Sequence, residues 1–420
     1  MKWHYPHNFP TSVEIRINSF IKRQVFPSLT GSIMMTLLTY GTIQGRELTA
    51  APQPPVLDTT EIRIVAERAD EWTDLFKRSN GWFGGDGIYS IPILSSHGME
   101  NGVTTMFIFS DSLIGQLLNG KLTSSYRMIN NSAAFLSGLQ PNRDSLRFVW
   151  GLNGNDRISS LFVPRDLGEG QKDYYWLGDG FVNRELSTTY IFAYRMRNRD
   201  SGEEWSFETV GTELIAIPKD CPPPFKCHVQ IPTPLHFNDG DFGACIFPNS
   251  EKYGVPLPDG YVYIYGVRGK AKRLMVARVK PKEFENFSKW RFWNGTYWDS
   301  KSDNIAYLAD GVSNELSLSP IPGGKYVLTY QKNGIEPEIM VRFSDSPIGP
   351  FGPEIKVWQC EEAKVHNHFA YNAKAHPDIS APGELLVSYN VNAFNFNENI
   401  KKYPQLYRPR FIRLKFQEKN

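Results

Sequence analysis

Five polar residues recur at matching points of a loosely repeated pattern. They are Asp86 in GGDGIYSIPI, Asp179 in YYWLGDGFV, Asp241 in NDGDFGACIF, Glu315 in NELSLSPI and His376 in YNAKAHPDIS. Each lies beside a short run of the β-branched and aromatic residues that suit strands. If the fold brings these runs together, four carboxylates and an imidazole meet. Cleavage of a glycosidic bond commonly needs two carboxyl groups: one protonates the leaving oxygen, the other activates water or attacks the anomeric carbon. A third carboxylate nearby holds the acid's pKa high by like-charge repulsion. The plainer alternative is that these residues cap turns at strand starts, which Asp does well.

Positioning such a set requires many strands, and the sequence supplies them. From residue 59 onward helical periodicity is nearly absent, apart from a short turn near Glu71–Lys77. Apolar runs such as 104–110, 188–196, 261–267, 273–279, 325–331, 338–344 and 384–391 alternate with Gly, Pro, Asn and Asp. Their order recurs five times: a polar-tipped segment, a strongly apolar strand, then a strand carrying Arg or Tyr. Five such units predict an all-β, five-bladed β-propeller of four-stranded antiparallel blades, with residues 59–415 as one domain. The competing reading is a sandwich whose hairpins look alike. In a propeller the first strand of each blade lines the central channel, so residues from distant parts of the chain converge there.

The chain has 420 residues, 14% of them aromatic, with 46 Lys plus Arg against 44 Asp plus Glu. A formal charge of +2 builds no field to hold a phosphate backbone, so nucleic acid is excluded as a partner. Residues 1–55 read differently. Lys22 and Arg23 precede a mildly apolar run, 25–40, and then the small and Pro-rich TAAPQPP. That order predicts a cleaved signal, a signal anchor or a disordered arm, hence a secreted, periplasmic or cell-surface protein with no membrane span in its mature domain. Cys221 and Cys227 bracket CPPPFKC and either bridge or remain thiols; no C-x-x-C pair suggests zinc. G-x-S-x-G, P-loop, H-E-x-x-H and dinucleotide motifs are missing from the sequence, which disfavours those enzyme classes.

Several of these segments carry a family resemblance. GGDGIYSIPI, FSDSLIG with MINNS, LMVARV with WRFWNG, RFSDSPIGPFGP, NAKAHPD with GELLVSYN, and the closing YRPRFIR resemble a bacterial five-bladed propeller family known as domain of unknown function 4185. That family is similar in fold to glycoside hydrolase families 43, 32, 62 and 117. The resemblance implies Asp86 as base, Asp241 as the residue that modulates the acid, and Glu315 as acid. Asp239 rivals Asp241, because NDGDFG departs from the usual motif. Some related propellers hold a calcium or a water beside an axial imidazole, so a structural Ca²⁺ near His376 is the one metal raised. No catalytic cofactor is expected.

Around this centre, Asp111, Arg127, Asn130, Asn131, Asp179, Trp293 and His376 are candidate carbohydrate contacts. The Gly84–Gly85 pair would let backbone approach a ligand closely. The aromatic run Trp290, Phe292, Trp293, Tyr297 and Trp298 offers either sugar-stacking faces or a packing cluster. His366 and His368 lack a convincing third metal ligand. The predicted function is hydrolysis of a polysaccharide, arabinan- or furanoside-like, by a monomer; the alternative is a non-catalytic carbohydrate-binding propeller.

Overall fold

A computed structural model describes residues 12–15, 62–94, 103–166, 168, 171–199, 206–251, 255 and 257–418. The protein is all-β, and its strand pairings are antiparallel. Of the seven sheets among the described residues, five larger ones follow one another along the chain. Sheet I contains Tyr89–Leu94, Val103–Phe109, Ser132–Ser137 and Leu146–Val149; sheet II contains Tyr174–Asn183, Thr188–Asn198, Phe207–Pro218 and Val229–Pro232. Sheet III runs from His236–Phe237 and Gly240–Asn249 through Tyr261–Arg268 and Arg273–Val279 to the short Arg291–Trp293 and Trp298–Asp299. Sheet IV contains Leu316–Ile321, Lys325–Gln331, Glu338–Ser344 and Ile355–Gln359.

Sheet V is built from both ends of the chain. His368–Ala375, Glu384–Ala393 and Arg410–Glu418 are followed in space by Ile62–Arg68 and then Ser12–Ile15. The pairing Ile64↔Phe416 and Ala66↔Leu414 ties the start of the domain to its end. Of the expected leader 1–55, only Ser12–Ile15 lies within the described residues. No helix among the described residues is long and apolar enough to cross a membrane.

Central strands such as Tyr261–Arg268 are buried on both faces, so they read as continuous apolar runs rather than alternating ones. Cores form between neighbouring sheets. Ile91, Tyr175 and Ile191 join sheets I and II; Phe192, Phe242 and Ile264 join II and III. Tyr265, Leu316 and Leu328 join III and IV; Val327, Val341, Val387 and Ile412 join IV and V. Phe107, Phe109, Leu386 and Phe411 join V and I. Helix α1 (Asp70–Leu75) leads into that last core: the ring of Phe76, its C-cap, stacks on Phe411 at 5.5 Å.

Hydrogen bonds between successive sheets follow the same sequence. The Ser110 hydroxyl accepts from Leu177 N (2.9 Å), and Asp179 Oδ2 accepts from Ile246 N (2.6 Å). Cys245 Sγ accepts from Leu318 N (3.3 Å), Ser317 Oγ accepts from Ala375 N (2.7 Å), and His376 Nδ1 meets Ser90 Oγ (2.9 Å).

One excursion interrupts sheet I. Ser112–Leu118 leaves it, pairs with Asn80–Gly85 and with Arg127–Ile129, and returns at Ser132. This detour carries Asp111 and Asn130. A second, Pro218 to His228, is closed by a Cys221–Cys227 disulfide, so the bridged alternative is the one adopted. Helix α2 (Phe396–Lys402), with Phe396 and Ile400 buried one turn apart, was not apparent from the sequence.

Candidate active site

Asp86 ends the Asn80–Gly85 segment and precedes the innermost strand of sheet I. Its peptide is clamped to the excursion: Asp86 N donates to Asp111 O (3.1 Å), and Ser110 N donates to Asp86 O (2.8 Å). The next residue, Gly87, has φ +62°, and an added Cβ there would stand 2.8 Å from Ser110 Oγ, so only glycine makes this turn easily. The expected role of Gly84–Gly85 is not what is seen. A Cβ on Gly84 would lie 2.3 Å from the Tyr407 carbonyl, so the glycine admits the chain's own backbone, not a ligand.

Asp86 opens into a cleft of about 1560 Å³, which Asp111, Asp241 and Glu315 also line. Three carboxylates read from sequence as one set therefore line one cleft, and Asp111 lines it with them. Asp86 Oδ2 accepts a hydrogen bond from Tyr371 (2.7 Å). Its Oδ1 is buried without a partner, an acceptor that a substrate hydroxyl or water would satisfy. Burial pushes the Asp86 carboxyl up, against the opposing pull of the Tyr407 and Tyr371 hydroxyls and the Lys374 ammonium.

Asp111 accepts from Trp176 Nε1 (3.0 Å) and Asn130 Nδ2 (3.1 Å) through one oxygen, Oδ1. Burial, reinforced by the neighbouring Asp86 charge, raises it to about 7. Asp241 sits on the hairpin His236–Phe237/Gly240–Asn249, whose two-residue turn is Asn238–Asp239. Its Oδ1 accepts from the Thr212 hydroxyl (2.5 Å) and stands 2.7 Å from His236 Nδ1. Burial raises it, and Thr212 and His236 resist the rise. The rival Asp239 is half exposed and bonded to Arg268 (2.8 Å) at the rim. Glu315 immediately precedes sheet IV and is ion-paired with Lys374. Burial lifts it to about 7 against that ammonium, with the Asp86 charge adding to the rise.

Other expected contacts fall elsewhere. Asp179 is part-buried and does not line the cleft; its carboxylate caps the Gly180 and Ile246 amides (2.8 and 2.6 Å). Asn131 is fully buried, its amide bonded to Phe162 N, Phe162 O and Tyr175 O; it staples sheet I to sheet II. Arg127 is exposed and does not line the cleft. Trp293 packs on Trp298 (5.3 Å) at the outer edge of sheet III, and Trp290 is core, its indole bonded to Phe284 O. The run of tryptophans is therefore packing. The cleft's aromatic faces come instead from Trp176 with Phe207 and from Phe369 with Phe394.

His376 ends the innermost strand of sheet V, not its start. Both its nitrogens are taken by hydroxyls, Ser90 (2.9 Å) and Ser388 (2.7 Å), and burial with the Lys374 ammonium drives it down to about 3. Those surroundings do not fit a calcium ion. Among the described residues no group of three His, Cys, Asp or Glu could hold a metal.

Sequence reasoning missed His236, Thr212, Tyr371, Tyr407 and Lys374. His236 was discoverable: HFNDGD is a two-residue hairpin that places residues 236 and 241 opposite each other. Tyr407 comes from the far end of the chain, and no local signal marks it.

Comparison with known proteins places this architecture. A family model covers residues 69–416. The chain belongs to the family described as domain of unknown function DUF5005. The match shows DUF5005 and does not show family 4185, which the short motifs resemble. DUF5005 covers all five innermost strands and every cleft carboxylate named above. No curated protein matches the chain. Among solved structures, one from Bacteroides ovatus, provisionally described as a hydrolase, superposes with a TM-score of 0.66 at 17% identity, covering 84% of this chain and 90% of that one. An α-L-arabinofuranosidase from Clostridium thermocellum (TM-score 0.39, 12% identity, 72% and 82% covered) and a GH43_1 enzyme from Xanthomonas citri complexed with xylose (0.39, 12%, 83% and 93%) are more distant. Of these three, only the Bacteroides structure bears on the fold.

Proposed function

We propose that this DUF5005 chain is a secreted glycoside hydrolase whose five sheets are the blades of a closed five-bladed propeller. The succession of cores and inter-strand hydrogen bonds from sheet I to V and back to I supports closure. The observation that carries the activity is the convergence of Asp86, Asp241 and Glu315, with Asp111, on one cleft, each carboxyl raised by burial.

In this reading Glu315, raised to about 7, donates a proton to the leaving oxygen. Asp86, oriented by Tyr371 and Tyr407, is the base that takes a proton from water or the group that attacks the anomeric carbon. Asp241, held by Thr212 and His236, binds sugar hydroxyls and adds negative field. The Trp176–Phe207 and Phe369–Phe394 pairs stack on sugar rings. The cleft volume exceeds what one sugar fills, which favours an oligomeric or polymeric substrate, arabinan- or furanoside-like. The Cys221–Cys227 disulfide agrees with an oxidising compartment, and we expect a monomer.

The test is a panel of plant, algal and bacterial polysaccharides assayed for released oligosaccharides. Cleavage of one of them by wild type, lost in Asp86→Asn and Glu315→Gln, is expected. Binding without cleavage would replace this reading with a carbohydrate-binding propeller.

A further inference from the structure

Lys374 stands against Glu315 and has no role in the catalytic reading. It lies in the innermost strand of sheet V, just after an irregularity between Tyr371 and Lys374 in the pairing with Glu384–Ala393. Its side chain is 1% exposed, although a lysine almost never goes fully under unless paired. The ammonium contacts Glu315 Oε2, bonds to Asn372 O (3.2 Å) and stands 4.3 Å from the centre of the Tyr89 ring. It thus touches sheets I, IV and V at once.

We infer that Lys374 is a positioning residue: its buried ammonium is the internal counter-charge that holds the Glu315 carboxyl at the cleft and allows several carboxylates to gather around it. The groups facing it come from each side. Glu315 approaches from sheet IV, Asp86 and Tyr89 from sheet I, Asp179 from sheet II, and Asn372 and His376 from its own strand. Sheet III adds the Cys245 thiol, next to Asp179. The ammonium's field opposes the burial of Asp86, Asp179 and Glu315 together and adds to the burial that lowers His376. Without a central cation, burying these carboxyls so close together would force their protonation.

The inference rests on the hydrolase reading only for its kinetic arm. The test uses Lys374→Met, which keeps length and removes charge, and the double variant Lys374→Met/Glu315→Gln. Carboxyl ¹³C titration by NMR follows the Glu315 signal, assigned by its loss in Glu315→Gln. In Lys374→Met its midpoint is expected to rise by about 1–3 pH units, the usual effect of an opposite charge at contact distance. On whichever glycan wild type cleaves, the alkaline limb of the pH–rate profile should move up in parallel, because the acid keeps its proton longer.

A folded Lys374→Met protein with an unmoved Glu315 midpoint overturns the inference. Should Lys374→Met fail to fold, the double variant decides. Recovery of folding shows that the stranded Glu315 charge was the fault and supports the inference; an equally unfolded double variant shows a packing role and overturns it. If wild type cleaves no glycan, the hydrolase reading fails, yet the titration still decides the role of Lys374.

Discussion

Asp111→Asn isolates the energetic consequence of gathering carboxylates in this cleft. Both hydrogen bonds to the side chain are accepted by Oδ1, so an asparagine oxygen keeps them and the shape is preserved. What is lost is the charge. Burial and the Asp86 charge raise Asp111 from 3.8 to about 7. At roughly 1.4 kcal/mol per pH unit, that rise corresponds to about 4 kcal/mol of destabilisation once the group is ionised. The carboxyl lines an open cleft, so solvent screening reduces this to about 2 kcal/mol. The sign follows from the raised folded-state value. The stabilising contribution is fully present below the unfolded pKa near 4 and is lost as pH climbs through about 7. Wild type and Asp111→Asn should therefore melt alike near pH 4 and diverge up to about pH 8, the variant being the more stable. For a domain of roughly 350 residues, about 2 kcal/mol is about 3 °C in Tm. Calorimetric melts of both proteins from pH 4 to 9 measure it. Melting curves that stay parallel across that range would show that Asp111 titrates normally, and the argument for a strained carboxylate cluster would fall.

Three further outcomes are expected. Asp86→Asn retains an acceptor for Tyr371 and should lower kcat by about 10²–10⁴-fold while circular dichroism and Tm are maintained; a variant at full rate removes Asp86 from the mechanism. Glu315→Gln should slow natural glycans far more than aryl glycosides with good leaving groups, which need little protonation, and equal losses on both would contradict its role as acid. Cys221→Ser with Cys227→Ser opens a loop of seven residues, counting both cysteines, and should cost about 2 kcal/mol in denaturant unfolding; a midpoint unchanged from the oxidised wild type would show the loop to be held by other contacts.

Local chemistry made much of the architecture readable. Runs such as Arg273–Val279, Lys325–Gln331 and Glu338–Ser344 begin and end where the sequence places them, because β-branched and aromatic composition bounded by turn residues is a local property. The return of Ile62–Arg68 to pair with Arg410–Glu418 was not readable in that way: strand pairing across the whole chain leaves no periodic trace.

The candidate site divides along the same line. Sequence alone determined that Asp86, Asp241 and Glu315 stand at comparable points of separate repeats, since that depends only on order along the chain. Which polar residues share their cleft is decided by strand direction and depth. Asp179 and His376 stand at matching points of the other two repeats, yet one caps amides away from the cleft lining and the other follows its strand between two serines. Lys374 is two residues from His376, and nothing local distinguishes it from a surface lysine. Only the meeting of sheets I, IV and V puts its ammonium against Glu315, out of water. Burial, which sets the charge of each of these groups, is a property of the assembled neighbours, and for that reason tertiary structure decided the chemistry of residues whose identities the sequence had already supplied.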